Sequence, residues 1–132
     1  MADLIKIEEM EDYLRCIAEE FDYTSKNLLT FFKAVFKASR DTGKNLIFID
    51  FTAIHENTPA TLKSLAGILA KGMLQDFHRD VGRLPRIAVF GVTPHILDYK
   101  PAQEILRNAG MPVAVFTDEA AAKEWLFKEG KA

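Results

Sequence analysis

"NLIFIDF", residues 45–51, is a near-continuous apolar run, rich in β-branched and aromatic side chains, with one aspartate near its end. Such a run fits a strand buried on both faces, as in a parallel sheet covered by helices, and lacks the in–out alternation of a half-exposed strand. "RIAVFGV" (86–92) and "PVAVFTD" (112–118) repeat the pattern. Residues 24–41, upstream of the first run, have helical period. At about 100° per residue, Leu28, Leu29, Phe31, Phe32, Val35 and Phe36 fill an arc of about 160°, opposite Lys26, Thr30, Lys33, Lys37 and Arg40. Thr24 or Ser25 can cap its start and Gly43 its end. A helix over 59–80 follows, with Leu62, Ala66, Leu69, Met73 and Phe77 as its core stripe. Pro101 pre-sets a third helix that ends at Asn108-Ala109-Gly110, and Asp118 caps a fourth that turns Ala122, Trp125 and Leu126 inward. Near the N-terminus, 4–10 and 13–20 read as two short strands joined by a turn at Glu11-Asp12.

The order is therefore ββαβαβαβα. Buried strands alternating with helices require a largely parallel sheet with covered faces and right-handed crossovers. The expectation is an α/β fold with a mixed five-stranded sheet and four helices, its opening hairpin forming an antiparallel pair at one edge. No repeat, low-complexity tract or linker divides the 132 residues, so one domain over 1–132 is expected.

Composition narrows the function. The 48% hydrophobic and 27% charged content, with ten Phe, describes a globular chain and not a disordered one. No apolar run approaches the roughly 20 residues of a membrane span, and the first residues lack a secretory signal. Cys16 is the one cysteine, so no internal disulfide forms and a cytoplasmic location is the default. Residues 1–24 hold eight acids against Lys6 and Arg15, and the remainder is net +4. That distribution does not suit nucleic acid; it suits an acidic, solubilising sheet edge.

The junction "FIDFTAIHENTPATLKSL" (48–65) passes from strand to polar loop to helix start. Thr58 followed by Pro59 suits N-cap then N1, where a capping hydroxyl contributes about 1 kcal/mol. The same position would accept a phosphate, since helix N-termini favour anions. Both readings stand. Asp50 is unlike a metal-assisted acceptor aspartate, because the strand at 112–118 is not followed by lysine and the opening strand belongs to a hairpin. His55, His78 and His95 have no metal-ligand spacing, and no G-x-S-x-G or G-x-G-x-x-G motif occurs. No metal, cofactor or catalytic constellation is expected. Asp50, Thr52, His55, Glu56, Asn57, Thr93 and His95 follow strand ends and would share one rim of the sheet, where open α/β folds bind ligands.

The element order, "LIFIDFTAI" (46–54) before a capped helix, and the closing "RIAVFG" and "VAVFTDEAAAKEWL" together resemble the STAS superfamily. The likeness is nearest to its bacterial anti-sigma factor antagonist-like (SpoIIAA-like) branch, whose last helix often carries A-x-x-W-L, here Ala122 to Leu126. The resemblance implies a non-enzymatic regulatory module that binds a protein partner of the anti-sigma kinase type. In phospho-regulated members, an aspartate-apolar-serine strand end precedes an Asp-Ser-Ser-Gly helix start, where the kinase modifies a serine. Asp50-Phe51-Thr52 matches the first half; in the second, His55-Glu56-Asn57-Thr58-Pro59-Ala60 has no serine, and Thr58 is the nearest hydroxyl.

An alternative from another class is a carrier of small hydrophobic ligands or lipid, since STAS-like folds also resemble the CRAL-TRIO domain in strand order. Its ligand would lie near Phe32, Phe36, Leu69 and Met73. The wide apolar arc of the first helix leaves its flanks, Phe31 and Leu29, for a partner or a cavity. Gly67 and Gly72 each cost up to about 1 kcal/mol inside a helix, which suggests close approach of another backbone and a homodimer through that helix.

Overall fold

The computed structural model describes residues 5–19, 24–53, 60–91, 96 and 99–129. Its elements are β1 (Ile5–Glu9), β2 (Leu14–Ala18), α1 (Ser25–Thr42), β3 (Leu46–Asp50), α2 (Ala60–Val81), β4 (Arg86–Phe90), α3 (Lys100–Asn108), β5 (Val113–Phe116) and α4 (Glu119–Glu129). The five strands form one sheet in the order β1-β2-β3-β4-β5. β1 runs antiparallel to β2, with Ile7 opposite Cys16, and every other pair is parallel. The fold is the expected ββαβαβαβα with a mixed sheet.

Strand order equals chain order, and this decides where the helices lie. Right-handed crossovers that step in one direction across a sheet place all their helices on the same face. Accordingly α1, α2 and α3 share the larger core with Leu14, Cys16, Ile47, Ile49, Ile87, Val89, Val113 and Val115. Among the described residues the other face has α4 alone, whose Ala122 and Leu126 pack on Phe48 and Ala88. A sheet with no reversal of strand order has no topological switch point of the kind at which doubly wound folds bind ligands.

Local chemistry sets the helix ends. The Thr24 hydroxyl oxygen accepts from the Asn27 N–H at 3.1 Å, and Gly43, at φ 75°, donates its N–H to Ser39 O at 3.0 Å. The Asp118 carboxylate accepts from the Ala121 N–H at 2.9 Å and starts α4.

Three expectations about faces change. Phe31 is fully buried, 5.4 Å from the Phe51 ring, and is no partner-facing flank; only Leu29 is half-exposed. The buried stripe of α2 is Ala66, Ala70, Leu74 and Phe77, while Leu69 and Met73 sit half-buried at its margin. The cause is that α2 lies between α1 and α3, so its inward face turns toward small residues. Gly67 is one of them: a Cβ there would stand 2.7 Å from the Ala102 Cα of α3. Among the described residues of the chain, nothing lies within 4 Å of a Cβ at Gly72.

Candidate functional site

The carboxyl end of β3 brings together residues distant in sequence. Phe48 and Asp50 point to the α4 face, with Ile47, Ile49 and Phe51 on the other. Asp50 is buried, and a carboxylate taken from water needs compensating partners. It has three. Arg15, from β2, donates through one terminal guanidinium nitrogen to Oδ2 at 3.1 Å. The N–H and hydroxyl of Thr52 donate to Oδ1 at 2.9 and 2.6 Å, which closes the chain into a tight turn as β3 ends.

Arg15 extends the cluster. Its guanidinium lies 4.9 Å from the centre of the Phe48 ring and 3.4 Å from Glu119 Oε1, at the first turn of α4. Glu8 of β1 stands 3.9 Å from its Nε. Glu119 in turn meets Lys123 at 3.1 Å. The hydrogen bond from Lys123 lowers the Glu119 pKa; burial opposes it, and the charges of Lys123 and Arg15 add to the lowering. Arg15 thus joins β2, β3 and the start of α4 at one point. Thr52 is occupied as a donor to Asp50, and a phosphate on its oxygen would lose that bond and meet the carboxylate.

Of the residues predicted along this rim, Asp50 and Thr52 come together. His55, Glu56, Asn57, Thr58, Thr93 and His95 lie outside the described residues. Sequence reasoning missed Arg15, Glu119 and Lys123. A signal for Arg15 existed: an aspartate inside a doubly buried strand requires a cation, and Arg15 occupies the second face of a neighbouring strand whose first face is Leu14, Cys16 and Ala18.

A second feature lies inside the larger core. An apolar cavity of about 60 Å³ runs between α1, α2, α3 and the sheet, with Phe32, Phe36, Phe51, Ala66, Ala70 and Tyr99 in its wall. Leu69 stands at the core margin, and Met73 lines an outward cleft. Gln103, buried at the edge of the cavity, accepts from the Val115 N–H at 2.8 Å and satisfies an amide of edge strand β5. Cys16 is also buried, and desolvation pushes its thiol up to about 12, so it remains protonated and unreactive near neutrality. Among the described residues no three acids, histidines or cysteines gather to hold a metal ion, and no helix is long and apolar enough to cross a membrane.

A solved structure of RsbS from Moorella thermoacetica, in a serine-to-glutamate variant, superposes on this architecture with a TM-score of 0.61. The alignment covers 98% of this chain and 100% of that one, at 15% sequence identity. The fold is STAS-like. RsbS is a STAS-domain protein of the anti-sigma factor antagonist-like kind, and at this identity the likeness is one of fold. No protein-family model matches the sequence, and no curated protein matches it.

Proposed function

We infer that this STAS-like chain is a non-enzymatic, cytoplasmic regulatory module that binds a protein partner, of the anti-sigma kinase type, through the rim where β3 passes into α2. The observation that carries this reading is the superposition on RsbS over the whole length of both chains. The site chemistry is consistent with it. Asp50 and Thr52 form a closed, charge-compensated turn suited to presenting a loop, and the one cysteine is buried and protonated. Thr52 holds the turn, so Thr58 is the hydroxyl assigned to phosphorylation, two residues before α2 begins. A phosphate there would gain from the free N–H groups and dipole of the helix start.

The test is phosphate transfer from a bacterial anti-sigma serine/threonine kinase, followed by mass spectrometry, together with partner capture by the unmodified protein and by Thr58→Glu. Modification at residue 58, absent in Thr58→Ala, with partner binding lost in Thr58→Glu, is the expected outcome. No modification, and unchanged binding by Thr58→Glu, refutes the switch.

The cavity favours a second reading, a carrier of small apolar molecules. A cavity needs about 10–15 Å³ by this kind of measure to hold one water, so 60 Å³ fits a ligand of a few heavy atoms and not an acyl chain. Ala70→Leu would project into the space. Native mass spectrometry should show a bound small molecule that this variant lacks; an empty wild-type protein removes the reading.

A further inference from the structure

The end of the sheet where the parallel strands begin carries two surfaces of opposite character. One is a cleft of about 190 Å³ between the C-terminal halves of α1 and α2, floored by Phe36, Met73 and Phe77. Lys33, Lys37 and Arg40 stand along its α1 side and Asp76 along its α2 side. Arg79 holds Asp76 at 3.4 Å and Asp41 holds Lys37 at 2.6 Å. Lys33 and Arg40 make no ion pair among the described residues, so the cleft keeps uncompensated positive charge over an apolar floor.

The second surface is the β1–β2 hairpin. The carboxylates of Glu9, Glu11 and Asp12 make no ion pair among the described residues, while Glu8 faces Lys6 and Arg15. Ile7, opposite Cys16, is 37% exposed and Met10, opposite Tyr13 on the other face of the hairpin, is 38% exposed; they are two of the three large apolar side chains that the described surface leaves open. Hairpin and cleft lie at the same end of the molecule. Lys44, just past α1, donates to the Glu11 carbonyl oxygen at 2.5 Å.

Edge-to-edge pairing of two β1 strands would set two acid-rich hairpins against each other, which like-charge repulsion opposes. The opposite arrangement is complementary. We propose that two copies of this chain associate about a two-fold axis, the acidic hairpin of each lying over the basic cleft of the other. Ile7, which shares the sheet face of Cys16, then covers the Phe36, Met73 and Phe77 floor, and Glu9, Glu11 and Asp12 meet Lys33, Lys37 and Arg40. Because both surfaces sit at one end, a single two-fold axis satisfies both contacts and the assembly closes as a dimer. The interface leaves the β3–α2 rim, at the opposite end, free for a partner. It does not rest on the regulatory reading.

Charge reversal tests the proposal on the full chain by light scattering and sedimentation velocity. At about 100 µM and ~0.1 M salt the wild type should be dimeric, and ~1 M salt should weaken the association at least about tenfold, as the Debye length falls from about 10 to about 3 Å. Lys33→Glu/Lys37→Glu/Arg40→Glu makes the cleft acidic, and Glu9→Lys/Glu11→Lys/Asp12→Lys makes the hairpin basic; each variant alone should be monomeric. Mixed one to one, they should form a heterodimer, because each cleft then meets a hairpin of opposite sign. Every substituted side chain is exposed, and circular dichroism verifies the fold. A monomeric wild type, a dimer that survives either reversal, or a mixture that stays monomeric overturns the proposal; the last outcome, with the wild type dimeric, places the interface elsewhere.

Discussion

The two glycines inside α2 make one prediction unusually decisive, because the same substitution should have opposite signs five residues apart. Both sit in helical backbone, where replacing glycine by alanine gains about 0.5–1 kcal/mol of chain entropy and propensity. At Gly72 nothing lies within 4 Å of the new methyl, so the gain is fully expressed. At Gly67 the methyl would meet the Ala102 Cα at 2.7 Å, its Cβ at 2.8 Å and its carbonyl oxygen at 3.1 Å. Two of those three atoms are backbone and the third is fixed to it, so no rotamer change relieves the overlap and α3 must move away from α2. Overpacking of this kind costs about 1–3 kcal/mol. Subtracting the propensity gain at the midpoints, ~2 less ~0.75, leaves Gly67→Ala destabilised by about 1.25 kcal/mol. At about 3–5 °C per kcal/mol for a chain of this size, Gly72→Ala should melt a few degrees above wild type and Gly67→Ala about 4–6 °C below it. Urea unfolding should show a shifted midpoint with an unchanged slope for both. Equal shifts of the same sign would refute the close α2–α3 crossing.

The Arg15–Asp50 pair should behave as a compensated charge. Arg15→Met strands the carboxylate, with a cost of about 2–3 kcal/mol, below the ~3–5 kcal/mol of a wholly dry pair because some of the guanidinium meets solvent. A double-mutant cycle with Asp50→Asn in urea should return a coupling above about 1 kcal/mol, and additivity would remove the pair's role. Cys16 should resist a disulfide exchange reagent at pH 8 in the native protein and react on unfolding. Its thiol pKa is raised on folding to about 12, so its contribution to stability is complete below the unfolded thiol's pKa and is lost as pH rises toward the folded value. Rapid native labelling would contradict its burial. Glu119 has a depressed pKa, through Lys123 first, so its contribution is present above the ordinary glutamate range and is lost as pH falls through the folded value. Lys123→Met should return the Glu119 carboxyl resonance toward ordinary titration by NMR, and an unmoved midpoint would exclude Lys123 as the cause.

Element type and order were legible because their causes are local. A strand buried on both faces is written in seven consecutive residues at 45–51, and the first helix carries its own period, its Thr24 cap and its Gly43 stop. The chemistry of the β3 end was half legible: Asp50 and Thr52 stand two residues apart and form a local turn. The rest was settled across long separations. Arg15 reaches Asp50 over 35 residues and Glu119 over 104, a choice that depends on which strand lies beside which and on which face each side chain occupies. The same holds for the buried stripe of α2. Helical period marked Ala66 and Phe77 correctly, but the packing of α2 turned Gly67 and Ala70 inward and left Leu69 and Met73 at the margin. Gly67 and Gly72 look alike in the chain; only the position of Ala102 tells them apart, because steric overlap is a property of two segments and is written in neither.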